Sequence, residues 1–222
     1  MTNGTIRSYL SMNTATNRVD LLSGIVAGLV YMHELDIVHG DLKGVNILVN
    51  ERGQASLADF GFSGFSRRAQ DDGSLISSVK GGTARYAAPE VQALEVTEGP
   101  TRESDIYSLA MVVWEMFTGL EPYYNIRSEG EIYTQVYHYR SRPQRPEQAA
   151  GLGLSDELWA LVERCWQHDP QDRPTVEYIE GVMQGIRADL GGKVLGEPSE
   201  WPLKVPPIPT VSWGGRNVLG SS

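Results

Sequence analysis

Apolar residues recur at helical spacing along much of the chain. In residues 20–35 they lie on one face of a 3.6-residue period, at Leu21, Leu22, Ile25, Leu29 and Met32. Asp20 precedes this face and is the predicted N-cap. Residues 104–118 are almost continuously apolar and end at Gly119, which predicts a buried helix with a glycine stop. Three further helices are predicted at residues 128–139, 155–167 and 174–190.

Short β-branched runs follow the first of these helices. Ile37–Val38 and Ile47–Val49 are separated by polar residues, a pattern that predicts strand, loop and strand. The sequence Glu-Arg-Gly at 51–53 predicts a tight turn, and residues 54–59 predict another short strand. A small β-hairpin is therefore expected between residues 47 and 59.

Two stretches show neither a helical nor a strand period. Residues 61–88 are rich in Gly, Ser, Arg and Asp, and an irregular stretch of this length inside a domain is typical of a functional or a mobile segment. Residues 191–222 contain 6 Gly, 5 Pro and 4 Ser, so 15 of 32, which predicts a flexible tail. The string Val-Pro-Pro-Ile-Pro-Thr at 205–210 is either a plain linker or a polyproline ligand for the aromatic groove of a partner.

Composition narrows the class of protein. The chain has 222 residues and a formal net charge of −9, so a chain-wide nucleic-acid-binding surface is not expected. Cys165 is the only cysteine in the sequence, which excludes an intrachain disulfide framework. No apolar run approaches the roughly 20 residues that a transmembrane helix needs. These features predict a cytoplasmic protein with no membrane partner.

Three short strings carry the chemistry. Residues 39–46 read His-Gly-Asp-Leu-Lys-Gly-Val-Asn, residues 59–61 read Asp-Phe-Gly, and residues 88–90 read Ala-Pro-Glu. Asp59 follows Asn46 by 13 residues, and Glu90 follows Asp59 by 31. Any one string arises often by chance, but all three in this order resemble the C-terminal lobe of a eukaryotic protein kinase.

The resemblance implies a set of catalytic and nucleotide-binding residues. Asp41 matches the aspartate that orients the attacking hydroxyl and accepts its proton, and Lys43 would lie near the γ-phosphate. Asn46 and Asp59 would supply oxygen ligands to Mg²⁺, and Leu48 would form the floor of the adenine site. The implied cofactors are therefore ATP and Mg²⁺.

The resemblance also implies the class of substrate. Thr83 matches a threonine that bonds the catalytic Asp and Lys in serine/threonine kinases, whereas tyrosine kinases usually carry Arg or Ala near the position of Lys43. The implied substrates are Ser or Thr hydroxyls on proteins. Residues 165–175, Cys-Trp-Gln-His-Asp-Pro-Gln-Asp-Arg-Pro-Thr, resemble the tyrosine-kinase-like group, which contains many serine/threonine enzymes.

Other matched positions imply structural roles. Glu90 and Arg173 would form the buried ion pair of the family, and breaking one partner of such a pair typically costs about 3–5 kcal/mol. Asp105 would accept hydrogen bonds from the backbone of the catalytic loop. Cys165 is expected to be a small buried apolar residue.

The sequence departs from the family pattern in two places. Gly40 replaces the arginine that commonly pairs with a phosphorylated activation segment, so regulation through that contact is not expected. No Gly-x-Gly-x-x-Gly precedes Asp41, no Val-Ala-Ile-Lys-like run is present, and residues 1–4 resemble the hinge that holds the adenine. Half of the ATP cleft is therefore expected to be missing.

The expected architecture is a mainly α (α+β) fold, a kinase large lobe with small β-hairpins and without the small lobe. Residues 1–190 would form this domain and 191–222 the tail. Two functions remain open. The first is a protein serine/threonine kinase domain that is truncated and inactive as this chain alone. The second is a catalytically inert, kinase-derived scaffold or binding module that acts through its exposed lobe face or its tail, for which a partner is possible.

Overall fold

A computed structural model describes residues 3–59, 64–65, 83–92, 99–191, 193 and 195–210 of the chain. Its helices, in chain order, are α1 (Ile6–Met12), α2 (Arg18–Glu34), α3 (Pro89–Gln92), α4 (Arg102–Thr118), α5 (Glu129–Tyr133), α6 (Asp156–Cys165) and α7 (Val176–Leu190). Its strands are β1 (Ile37–Val38), β2 (Ile47–Val49), β3 (Ala55–Leu57) and β4 (Gly64–Phe65). The described part is thus mainly helical with two small sheets, as expected from the sequence.

The hairpin β2–β3 packs on helix α2. β2 and β3 pair antiparallel, with Leu48 opposite Ser56, which confirms the predicted hairpin. Gly24 and Gly28 allow the close approach, because a Cβ at Gly24 would lie 3.0 Å from the carbonyl oxygen of Ala55. The N-cap lies three residues earlier than predicted, at Asn17 instead of Asp20.

Helix α4 forms the centre of the core. A capping box between Thr101 and Ser104 starts the helix, and Gly119 ends it with a φ of 77°, as the glycine stop predicted. All its residues from Ser104 to Thr118 are buried, so apolar side chains are needed on every face. No helix in the described ranges is long and apolar enough to cross a membrane.

Three features differ from the helices and strands that were predicted. Helix α1 lies in a polar stretch without a helical period, where the Thr5 side chain caps its first turn. The predicted helix at 128–139 is regular only over α5 and continues as one π-helical turn, Thr134–His138. β1 pairs antiparallel with β4, which lies within the stretch expected to be irregular. Each depends on neighbours that local periodicity does not reveal.

Residues 195–210 differ from the flexible tail that their composition predicted. They lie against the domain, and Leu203 and Ile208 are 7% and 3% exposed. The amide of Leu203 donates to the carbonyl of Thr118 at 2.8 Å. Burial of these apolar side chains offsets the entropy of ordering the segment, which a count of Gly, Pro and Ser does not register. Residues 211–222 lie outside the described part.

Candidate functional site

The loop that follows β1 is held by a buried carboxylate. Asp105, near the start of α4, is 1% exposed. Its Oδ2 accepts the amide of His39 at 2.8 Å, and its Oδ1 accepts the amide of Gly40 at 2.9 Å. The ring Nε2 of His33 lies 3.0 Å from the same Oδ2. The predicted role of Asp105 as acceptor for this loop is confirmed.

His39 fixes the next turn of the loop and is fully buried. Its Nδ1 accepts the amide of Asp41 at 3.3 Å. Its Nε2 lies 3.2 Å from the carbonyl oxygen of Ala58, at the end of β3. Because Nδ1 accepts and the carbonyl cannot donate, the proton belongs on Nε2. The ring therefore links the loop to the strand that precedes Asp59.

Lys43 and Asn46 both contact one carboxylate oxygen of Asp41. Lys43 Nζ lies 2.7 Å from Asp41 Oδ2, and Asn46 Nδ2 donates to the same oxygen at 3.0 Å. Asn46 Nδ2 also donates to the backbone carbonyl of Asp41 at 2.9 Å. The Asp41 side chain is only 5% exposed and that of Lys43 21%, so the ammonium is the more accessible end of the pair. This arrangement can position a proton acceptor beside a cation.

Asp59 is linked to this cluster through the residue that precedes it. The amide of Ala58 donates to the carbonyl of Asn46 at 2.9 Å, so the exposed Asp59 directly follows a residue bonded to the loop. Its φ of 59° turns the backbone sharply after β3. Leu48, which is half-buried, lies on β2 and forms a bridge with Thr5.

The donor set fits Mg²⁺ bound together with a nucleotide. Both hydrogen bonds of Asn46 use Nδ2, which leaves its amide oxygen for a cation. Asp59 offers an exposed carboxylate, and hard oxygen ligands are those that Mg²⁺ prefers. The ammonium of Lys43 adds a charge suited to a phosphate.

A second buried carboxylate, Glu115 of α4, was not recognised in the sequence as part of the site. Its Oε2 accepts the amide of Gly44 at 3.1 Å and the hydroxyl of Tyr86 at 2.9 Å. Burial raises the pKa of Glu115 to about 7, and the Tyr86 hydroxyl, Arg7 and the Gly44 amide oppose this effect. A Cβ at Gly44 would overlap this carboxylate. The available signal was a charged residue within an apolar helix.

The pair of Glu90 and Arg173 anchors the segment that contains α3. Nη1 and Nη2 of Arg173 donate to the two carboxylate oxygens of Glu90 at 2.6 and 2.8 Å, a bidentate geometry. The Arg173 side chain is fully buried and also donates to three backbone carbonyls, those of Glu103, Gln167 and His168. The ion pair that the sequence predicted is confirmed.

Other predicted residues are only partly described. The backbone of Thr83 begins a 3₁₀ turn, but its side chain lies outside the described part of the structure, as do Phe60 and Gly61. Gly40 has a φ of 77°, a conformation that glycine adopts without strain. Cys165 is 3% exposed, and burial raises the pKa of its thiol to about 12, which fits an unreactive core residue.

Comparison with known proteins supplies the family context. The family described as "Protein kinase domain" matches residues 1–184. A probable serine/threonine-protein kinase of Dictyostelium discoideum is 33% identical over 183 residues, which cover 81% of this chain and 26% of that protein. Serine/threonine-protein kinase STY17 of Arabidopsis thaliana is 32% identical over 84% of this chain and 31% of its own length.

Receptors are also among the relatives. Ephrin type-B receptor 4b of Danio rerio is 34% identical over 209 residues, which cover 91% of this chain and 20% of that receptor. Ephrin type-B receptor 1 of Gallus gallus is 34% identical over 82% of this chain and 18% of its own length. The chain thus spans less than a third of the length of these relatives.

Proposed function

Because the chain belongs to the protein kinase domain family, we propose that residues 1–190 form the large lobe of a protein serine/threonine kinase. This lobe would help transfer the γ-phosphate of ATP to hydroxyl groups of protein substrates. One observation carries the proposal: the Asp41 carboxylate is held at 2.7 Å by Lys43 and at 3.0 Å by Asn46, beside the turn that leads to Asp59. Phosphoryl transfer needs this grouping of proton acceptor, cation and metal-ligand oxygens.

Each residue has a distinct task in this proposal. Asp41 orients the substrate hydroxyl and accepts its proton late in the reaction, while Lys43 places positive charge where the transferred group gains negative charge. Asn46 holds the carboxylate by Nδ2 and, with Asp59, provides oxygen ligands for Mg²⁺. The bound Mg-ATP supplies the phosphoryl group. Asp105 positions the loop and takes no direct part in the transfer.

Specificity for serine and threonine rests on separate support. Lys43 and Thr83 occupy the positions that the resemblance associates with serine/threonine kinases, and two of the relatives carry that name. The block 165–175 supports the tyrosine-kinase-like group. A panel of peptides that differ only in Ser, Thr or Tyr at the acceptor tests the specificity. Transfer to the tyrosine peptide alone would contradict it.

We also propose that the 222-residue chain by itself binds Mg-ATP weakly. A kinase nucleotide site needs a glycine-rich loop over the phosphates and a strand lysine, and these 222 residues contain no such pattern before Asp41. Isothermal titration calorimetry of the purified chain with Mg-ATP measures this directly. Low-micromolar binding would refute this part of the proposal.

The decisive experiment replaces Asp41 in the endogenous gene. The protein is captured with an antibody against residues 128–147, and its phosphate transfer to the peptide panel is compared with that of wild type. Asp41→Asn should abolish phosphate transfer, while the thermal melting temperature of the protein should stay that of wild type. Asp36→Asn is the matched control, because Asp36 is exposed and its side chain bonds to Arg102 at the surface of the described part.

The alternative function is an inert, kinase-derived scaffold. If the Asp41→Asn protein folds and cells that carry it behave as wild type, the scaffold explanation replaces catalysis. Loss of the cellular phenotype together with loss of transfer supports the kinase.

A further inference from the structure

Residues 195–210 make the contacts of a bound peptide. Along this segment, which we call the strap, the residues that face the lobe are Trp201, Leu203, Val205 and Ile208, and those between them are mostly exposed. The side chain of Lys204, for example, is 82% exposed. A segment whose apolar side chains face a protein surface and whose other side chains face solvent has the contact pattern of a bound peptide ligand.

Trp201 is the first anchor of the strap. Its ring lies over the Arg18 guanidinium, 4.7 Å from the carbon to the ring centroid. Arg18 is fully buried, and its Nη2 has no hydrogen-bond partner among the described atoms, so the indole face covers an otherwise incompletely satisfied cation. A Cβ on Gly119 would lie 2.7 Å from the indole, which shows how tightly the ring fits.

Backbone hydrogen bonds fix the register of the strap. The amide of Gly196 donates to the carbonyl of Gly151 at 2.8 Å, and the amide of Leu203 donates to Thr118. The hydroxyl of Tyr124 donates to the carbonyl of Val205 at 2.8 Å.

Asn125 holds the far end of the strap with two bonds. Its Oδ1 accepts the amide of Ile208 at 3.2 Å, and its Nδ2 donates to the carbonyl of the same residue at 3.0 Å. The three strap amides that donate to the lobe can therefore report occupancy one by one: those of Gly196, Leu203 and Ile208.

The loop that holds the strap also holds the segment before α3. Arg85 donates to the carbonyls of Pro122, Tyr123 and Ile126 at 3.0, 2.5 and 2.8 Å. The residues between them, Tyr124 and Asn125, are those that hold the strap. The strap and Arg85 therefore form hydrogen bonds with the same six-residue loop, residues 121–126.

We propose that the surface formed by Arg18, Thr118, Gly119 and loop 121–126 is a peptide-binding groove, separate from the Asp41 cluster. Its ligand is the proline-containing segment 195–210 of the same chain. Occupancy of the groove holds loop 121–126 in the shape that binds Arg85. The groove is independent of the proposed function.

The experiment uses the full chain with the strap anchors removed. Trp201→Ala with Leu203→Ala should release the strap, so the amides of Gly196, Leu203 or its replacement, and Ile208 should exchange with deuterium about tenfold faster or more. The amide of Ile126, which donates to Tyr123 within the loop, should lose protection as well. Lys204→Ala with Pro206→Ala is the matched control, because both side chains are exposed, and it should exchange as wild type.

Binding in trans separates a true groove from mere packing. A synthetic peptide of residues 195–210, added to the anchor variant, should bind saturably and restore protection at Ile126, whereas the same peptide with Trp201→Ala should do neither. Unchanged exchange in the anchor variant, or failure of the peptide to bind or to restore protection, would overturn the proposal. If the anchor variant does not fold, Asn125→Ala removes two strap bonds from the groove side and is judged by strap exchange. None of these measurements depends on ATP or on phosphate transfer.

Discussion

Replacing Arg173 should destabilise the fold more than breaking any surface ion pair. The perturbation is Arg173→Met, which keeps an unbranched apolar side chain in a position that is fully buried. It removes both hydrogen bonds to Glu90 and leaves three backbone carbonyls without their donor. The Glu90 side chain is 29% exposed, so its carboxylate would lose its partner while remaining largely out of water.

The magnitude follows from the burial of the pair. Removing one partner of a buried, hydrogen-bonded ion pair typically costs about 3–5 kcal/mol, chiefly because the other charge stays desolvated. At roughly 2–4 °C per kcal/mol for a domain of this size, Tm should fall by about 6–20 °C. In the surface pair, Arg187 Nε lies 3.0 Å from Asp20 Oδ1, and the two side chains are 53% and 55% exposed. Loss of this pair should cost about 0–1 kcal/mol.

Guanidinium chloride unfolding of the purified chain, followed by circular dichroism, measures both variants against wild type. Arg187→Met is the control, since it makes the same chemical change at the surface. The reasoning fails if Arg173→Met and Arg187→Met lower the free energy of unfolding by the same amount. It also fails if the Arg173 variant loses less than about 1 kcal/mol, which is the range of a surface pair.

Further outcomes are expected at the loop and its supports. Gly44→Ala should lower the free energy of unfolding by about 1–3 kcal/mol, because the new Cβ would lie 2.7 Å from the Glu115 carboxyl carbon. Gly185→Ala, in open space on α7, should instead raise it by about 0.5–1 kcal/mol, and urea unfolding compares the two. Since the pKa of Glu115 is raised from 4.5 to about 7, the folded state keeps a proton that the unfolded state has lost between these values. Stability should therefore fall by up to about 3 kcal/mol as pH rises through that window, and Glu115→Gln should remove this slope in urea titrations at several pH values. Asp105→Asn should speed hydrogen exchange at the Gly40 amide at least about tenfold, and a rate equal to wild type would contradict its supporting role.

Sequence alone predicted the elements whose signals are local. The period of residues 20–35, the apolar run 104–118 with Gly119 and the strands flanking residues 51–53 all appear where expected. The motif residues Asp41, Lys43 and Asn46 lie within seven residues of His39, so short-range chain geometry is enough to bring them together. The pairing of Glu90 with Arg173, 83 residues apart, was reached only through the family resemblance.

Tertiary structure decided what depends on distant neighbours. Glu115 is a charged residue within the apolar run 104–118, and the fold brings its carboxylate to the amide of Gly44, 71 residues away in the chain. The strap lies in the stretch whose Gly, Pro and Ser content predicted a flexible tail. The packing of Trp201 and Ile208 against the domain depends on a groove that other segments form. Local propensity fixes helices and turns, because those interactions span only a few residues. Long-range contacts depend on which surfaces meet, and only the packed chain determines that.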